Sequence, residues 1–133
     1  MRISSPRSFP SLSLRIDLSP EGRIGPGKVQ LLENIRSCGS ISAAGRAMNM
    51  SYKRAWDLVD EINRICKRSV VKRWEGGKGG GGAMLTPFGT SLVARYRKIE
   101  RLVGSAVHAG CLRCWVITTQ QPRNNRKKCA SRH

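Results

Sequence analysis

The sequence predicts a mainly α fold with a small β-hairpin wing, a winged helix-turn-helix, and three observations lead there. Three helical periodicities follow one another between residues 28 and 67 with only short breaks. The pattern then changes to two short strands separated by a run of glycines. Finally, Thr86-Pro87 opens a fourth helical pattern, with Thr as N-cap and Pro at the first helical position, where its missing amide costs nothing.

In chain order, residues 1–13 are rich in Ser and Pro and are expected to be a disordered leader. LRIDL alternates, with Leu14, Ile16 and Leu18 on one side of a short strand whose face is buried. SPEGRIGPGK reads as a turn-rich connection. Val29, Leu32 and Ile35 place a first helix over residues 28–37, and Gly39 can take the left-handed cap conformation that ends it. A second helix opens at Ser40 or Ser42 and runs through Ile41, Ala44, Ala47 and Met48. A third, about 51–66, has Ser51 as N-cap and an apolar stripe of Ala55, Leu58, Val59, Ile62, Ile65 and Cys66. SVVKRW and AMLT are strands, and EGGKGGGG between them is a long, pliable hairpin tip. The fourth helix runs to about residue 104, with Leu92, Val93, Tyr96, Ile99, Leu102 and Val103 as its apolar face. The organisation expected is therefore a leader (1–13), one domain (14–104) and a basic, disordered tail (105–133).

Charge narrows the function. The 133 residues carry 25 Lys and Arg against 8 Asp and Glu, a formal charge of +17. A balance that lopsided fits a polyanionic partner, nucleic acid before an acidic membrane surface. All eight acids lie between Asp17 and Glu100, so the middle has mixed charge and both ends are purely basic. No apolar run approaches the length of a membrane span, and the leader has no compact apolar core. Five scattered cysteines do not make a disulfide framework, and Cys38 and Cys66 read as reduced core residues of a cytoplasmic protein. Nothing resembles an enzyme's constellation: both histidines, His108 and His133, follow the last carboxylate.

The informative stretch is ISAAGRAMNMSYKRAWDLVDEI, residues 41–62. Two helices meeting steeply across a short turn make three demands. A small residue must sit where the second helix crosses the first, and Gly45 does, preceded by Ala43 and Ala44. The turn needs a residue that tolerates positive φ, and Asn49 is one of the few non-glycine types that do. Apolar residues must lock the pair together, and Ala44, Met48, Met50, Ala55 and Leu58 fall where that packing occurs. With Ala55, Leu58, Val59 and Ile62 inward, Lys53, Asp57, Asp60 and Arg64 point outward, and Arg54 and Trp56 lie on the flanks.

In this motif the first turns of the second helix of the pair enter the major groove of double-stranded DNA. The candidate DNA-binding residues are accordingly Ser51, Tyr52, Lys53 and Arg54, with Lys or Arg suited to guanine edges and Ser51 and Tyr52 also able to bond phosphate. Asp57 can either accept from cytosine or pair with Lys53 or Arg54 one turn back, and the second role is favoured. Asp60 and Glu61 mark where the helix leaves the groove. Lys72, Arg73 and Lys78 place charge on the wing. Its glycine run lacks the Gly-Lys-Ser/Thr ending of a nucleotide-phosphate loop. Trp74 reads as core or hairpin packing rather than a base contact.

The stretch SISAAGRAMNMSYKRAWDLVDEIN, the glycine-rich wing and LTPFG at the start of the last helix together resemble the N-terminal DNA-binding domain of ModE-type, molybdate-responsive transcriptional regulators. The resemblance covers Leu14 to about Val103. It implies a homodimer formed by the last helix with the N-terminal elements, and an inverted-repeat operator. The residues after Val103 do not match the family's molybdate domain, so no molybdate site is expected in this chain, and no cofactor.

Cys111, Cys114, Cys129 and His133 have spacings compatible with a Cys-Cys-Cys-His zinc site. The span between them has no knuckle glycine, and His133 is the final residue, so no metal site is assigned. The reading is a sequence-specific regulator; the alternative is a non-specific, architectural, nucleoid-type DNA binder favoured by the basic ends.

Overall fold

The computed structural model describes residues 11–76 and 81–110. Cα packing divides the chain into two compact units, one built on residues 13–98 and the other including 99–110. The first unit opens with a hairpin, β1 (Ile16–Ser19) and β2 (Gly22–Ile24), antiparallel with a register shift between Asp17 and Ser19. It continues with α1 (Pro26–Cys38), α2 (Ile41–Ala47) and α3 (Tyr52–Cys66). A second antiparallel hairpin follows, β3 (Val71–Trp74) and β4 (Gly82–Leu85), and then α4 (Pro87–Ala109).

The helices begin and end where local chemistry permits. Pro26 takes the first position of α1, two residues earlier than its apolar period suggests, since Pro at N1 needs no amide partner. Gly39 closes α1 at φ 75°, and its N–H returns to the Ile35 carbonyl. Ser40, of the two serines considered, caps α2 by accepting from the Ala43 amide at 3.0 Å. Ser51 caps α3 by accepting from the Arg54 amide at 3.1 Å. Thr86 caps α4 by accepting from Gly89 N–H at 3.0 Å, while its hydroxyl donates to the Ser69 carbonyl.

The core is built mainly from α1 and α3. Val29, Leu31, Leu32 and Ile35 of α1 meet Val59, Ile62 and Ile65 of α3, closed by Ile24, Val70 and Tyr96. Each such fully buried aliphatic side chain stabilises the fold by about 1.5–3 kcal/mol relative to leaving it in water. Two part-buried ion pairs fasten the periphery. Lys28 Nζ donates to Glu61 at 3.0 Å and to the Arg23 carbonyl at 2.8 Å, and the Arg97 guanidinium clamps Glu33 through two N–H groups. Tyr96 donates its hydroxyl to the Leu14 carbonyl at 2.7 Å, tying the leading segment to α4.

Several expectations change. The connection after Leu18 holds a strand, β2, whose anchor Ile24 is buried; Gly and Pro around it mask a partner that only pairing with β1 reveals. Leu18 is exposed and lies at the register shift between Asp17 and Ser19, which breaks the simple alternation along β1. Cys38 is exposed at the end of α1 rather than in the core, and Cys66 is half-buried. The last helix runs to Ala109, five residues beyond the expected end, and Ile99 and Leu102 on its expected apolar face are exposed. The leader to residue 10, the wing tip with Lys78, and Cys111, Cys114, Cys129 and His133 lie outside the described residues.

Candidate nucleic-acid interface

The turn between α2 and α3 has the predicted chemistry. Asn49 stands at φ 56°, and the Met50 amide returns to the Gly45 carbonyl at 2.9 Å. At Gly45 the helices touch: a Cβ there would meet Ala55 Cβ at 3.2 Å and the Met50 carbonyl oxygen at 3.4 Å. Ala44 and Ala55 are fully buried, Leu58 is nearly so, and Met48 and Met50 are half-buried against them. The small residue, the left-handed turn and the apolar lock therefore fix the angle at which α3 leaves α2.

That angle leaves the first turn of α3 in solvent. Ser51, Tyr52, Lys53 and Arg54 are all exposed. Lys53 Nζ lies 3.3 Å from Asp57 Oδ2, so the carboxylate one turn on pairs with Lys53. Both side chains are largely in water, and such a pair steers the ammonium more than it stabilises the fold. The Arg54 guanidinium has no ion pair among the described residues. Asp60 is exposed, whereas Glu61 is turned to Lys28 and belongs to the packing of α3 on α1.

The second hairpin is pinned beside this turn. Val71 pairs with Leu85, Lys72 with Met84, Arg73 with Ala83 and Trp74 with Gly82. The Ala83 amide donates to the Gly39 carbonyl at 2.8 Å, which fastens β4 to the end of α1. Alternation along the strands divides the wing residues. Arg73 shares the inward face with buried Val71 and Ala83, and its guanidinium lies over the Trp56 ring, 4.0 Å from the centroid. Trp56 in turn makes a T-shaped contact with Tyr52, with centroids 6.2 Å apart at 80°. Lys72 leaves from the opposite face with Trp74 and Met84. The Trp74 ring lies on Gly82, where any Cβ would fall 2.4 Å from it; Trp74 thus packs on its own hairpin while staying about half exposed.

Between hairpin and helices lies an open cleft of about 370 Å³, lined by Ser40, Ser42, Tyr52, Arg73, Trp74 and Glu75 among others. Of the predicted residues, Tyr52 and Arg73 come together here, Ser51, Lys53 and Arg54 share the adjoining turn, and Lys72 stands apart. Sequence reasoning left Trp56 on the flank of the helix without a role. The signal was present, since Tyr52 and Trp56 are four apart on one helix face, but their partner Arg73 is brought in only by the fold. Among the described residues no group of His, Cys, Asp and Glu could hold a metal ion.

No family model matches the chain. Among curated proteins it is 50% identical over 78 residues to the molybdenum-pterin-binding protein MopB of Rhodobacter capsulatus, which covers 59% of this chain and 29% of that protein. It is 40% identical over 95 residues to the transcriptional regulator ModE of Haemophilus influenzae, 71% of this chain and 37% of that protein. It is 44% identical over 77 residues to the dual regulator ModE of Escherichia coli, 58% of this chain and 29% of that protein. The chain thus spans roughly a third of the length of these relatives. A solved structure of a CbnR_DBD–DNA complex aligns over 60% of this chain and 86% of its own at 15% identity, with a TM-score of 0.48, too distant to carry an argument. The helix-turn-helix geometry and the identity to several ModE proteins together show that the chain carries a winged helix-turn-helix domain of the ModE type.

Proposed function

We propose that the protein is a sequence-specific, double-stranded DNA-binding transcriptional regulator and not an enzyme. One observation carries the reading: residues 51–54 at the start of α3 are all exposed, present Lys53 and Arg54, and have the Arg73 guanidinium held beside them by the wing. A helix needs such a free N-terminal turn to enter the major groove, and a wing next to it is placed for the sugar-phosphate backbone. The formal charge of +17 supports a polyanionic partner and supplies the sequence-independent share of affinity. Site residues are assigned by role: Lys53 and Arg54 to base edges, Ser51 and Tyr52 to phosphate or bases, Arg73, Lys72 and Lys78 to phosphate, and Asp57 to orienting Lys53.

The reading extends to a homodimer, supported by Ile99 and Leu102, exposed apolar side chains on the later turns of α4. A cytoplasmic location follows from a DNA partner, and no described helix is long and apolar enough to cross a membrane. Molybdate binding is not carried over from the relatives, of which this chain spans less than half.

Selection from a pool of random duplex DNA at near-physiological salt tests the reading. The expected result is an enriched inverted repeat with half-sites about one helical turn, or a multiple of it, apart. Lys53→Ala or Arg54→Ala should then weaken that site about 5- to 150-fold, the equivalent of one bidentate base contact, while changing random DNA little. Retention of the pool with no enriched motif would instead establish the architectural alternative that the charge of both chain ends favours.

A further inference from the structure

We infer that Trp56 is a positioning residue of this interface: its indole holds the Arg73 guanidinium beside the first turn of α3, so that the wing grips a backbone phosphate in fixed register with the recognition helix. The inference rests on the DNA-binding reading and deepens it.

Three observations and one general property of the guanidinium support it. Arg73 leaves the hairpin on its inward face, paired with Ala83, and its guanidinium carbon lies over the Trp56 ring of α3. The guanidinium carbon lies 4.0 Å from the Trp56 ring centroid, and Tyr52 meets that same indole in a T-shaped contact. No carboxylate takes the charge: Arg73 has no ion pair among the described residues, although Glu75 lines the same cleft, and Asp57 is engaged by Lys53. A stacked guanidinium keeps its N–H groups in the plane of the stack, directed away from the ring, which is the geometry that meets a phosphate. An arginine in free solution would lose rotamer freedom on binding; one already resting on an indole loses less.

Tyr52, Trp56 and Arg73 thereby join two elements distant in sequence. The recognition helix contributes the platform and the wing contributes the charge. A contact of Arg73 with phosphate and a contact of Lys53 or Arg54 with a base become one rigid arrangement, so the wing affects how well the helix is seated as well as how tightly DNA is held.

The test compares Trp56→Leu, Trp56→Phe, Arg73→Ala and Arg73→Lys with the unaltered chain, each confirmed folded by its thermal transition. Equilibrium binding to a duplex is measured across a salt series. Trp56→Leu should weaken binding about two- to fivefold, the range equivalent to one cation–π contact near the surface, and Trp56→Phe should restore most of it. Arg73→Ala should bind more weakly and lower the salt slope by about one unit, as expected when one phosphate is no longer neutralised by the protein. Arg73→Lys, an exposed strand change that cannot stack flat, should match Trp56→Leu with the slope kept. In the Arg73→Ala background, Trp56→Leu should cost nothing more. A full Trp56→Leu effect in that background, or Trp56→Phe as weak as Trp56→Leu, would overturn the positioning role while leaving DNA binding intact. Failure of the unaltered chain to bind any duplex would overturn the DNA reading, and this inference with it.

Discussion

Replacing Gly89 with Ala should destabilise the protein markedly, although the change improves helix propensity. Gly89 is in the first turn of α4, and a Cβ built on it would lie 2.2 Å from the carbonyl oxygen of Val70. Carbon and oxygen rarely approach closer than about 3.3 Å, so the strand or the helix must retreat by roughly 1 Å. That carbonyl accepts the Thr86 amide at 3.0 Å, and the Val70 amide donates to Asn63 Oδ1 at 2.9 Å, so the retreat strains both bonds. Breaking a buried amide hydrogen bond in this way costs about 1–3 kcal/mol, and forced repacking adds about 1–3 kcal/mol. Against these, Ala in place of Gly contributes about 1 kcal/mol to the helix. The net expectation is a loss of about 1–5 kcal/mol, which lowers Tm by roughly 4–8 °C for each kcal/mol in a domain of this size. Gly27→Ala in α1 is the matched control: nothing lies within 4 Å of its added Cβ, and it should be neutral or stabilise by up to about 1 kcal/mol. Thermal unfolding followed by circular dichroism reads both. Equal melting temperatures for the two variants would refute the argument, because they would mean the close approach of α4 to Val70 is not rigid.

Three further outcomes follow from the same geometry. Asn49→Val puts a β-branched residue at φ 56° and should cost about 1–2 kcal/mol in urea denaturation, while Asn49→Gly should cost little; equal losses would contradict the left-handed turn. Glu61→Ala leaves part-buried Lys28 with only the Arg23 carbonyl and should lose about 1–2 kcal/mol, whereas Asp60→Ala, on the exposed face, should stay within about 0.5 kcal/mol. Burial pushes the Cys66 thiol up from its ordinary pKa, which disfavours the reactive thiolate, so peptide mapping at mildly alkaline pH should find Cys38 alkylated well before Cys66. Equal alkylation rates at the two cysteines would show that Cys66 is not shielded.

Much of the fold was legible because its signals are local. Helix caps and a left-handed turn depend on residues within four positions, so Gly39, Ser51, Thr86 and Asn49 announce themselves. The apolar stripe of α3 needs only a period of 3.6, and its buried residues matched it, with Cys66 at the half-buried margin. Misreadings fell where a neighbour decides. β2 is three residues whose strand character exists only against β1, and Cys38 sits at a helix end, where periodicity says little about which side faces solvent.

At the interface, the sequence by itself determined the helix-turn-helix, the exposed cationic turn at residues 51–54 and the presence of a basic hairpin, because spacing and turn chemistry are written along the chain. The pairing of Lys53 with Asp57 was equally within its reach, being four residues apart on one helix. Only the tertiary structure decided which wing cation faces the recognition helix. Strand register sends Arg73 inward to Trp56 and Lys72 outward with Trp74, and a shift of one residue would exchange them. That register is set by distant partners, the Ala83–Gly39 hydrogen bond and the burial of Val71 and Leu85, which no window of sequence contains.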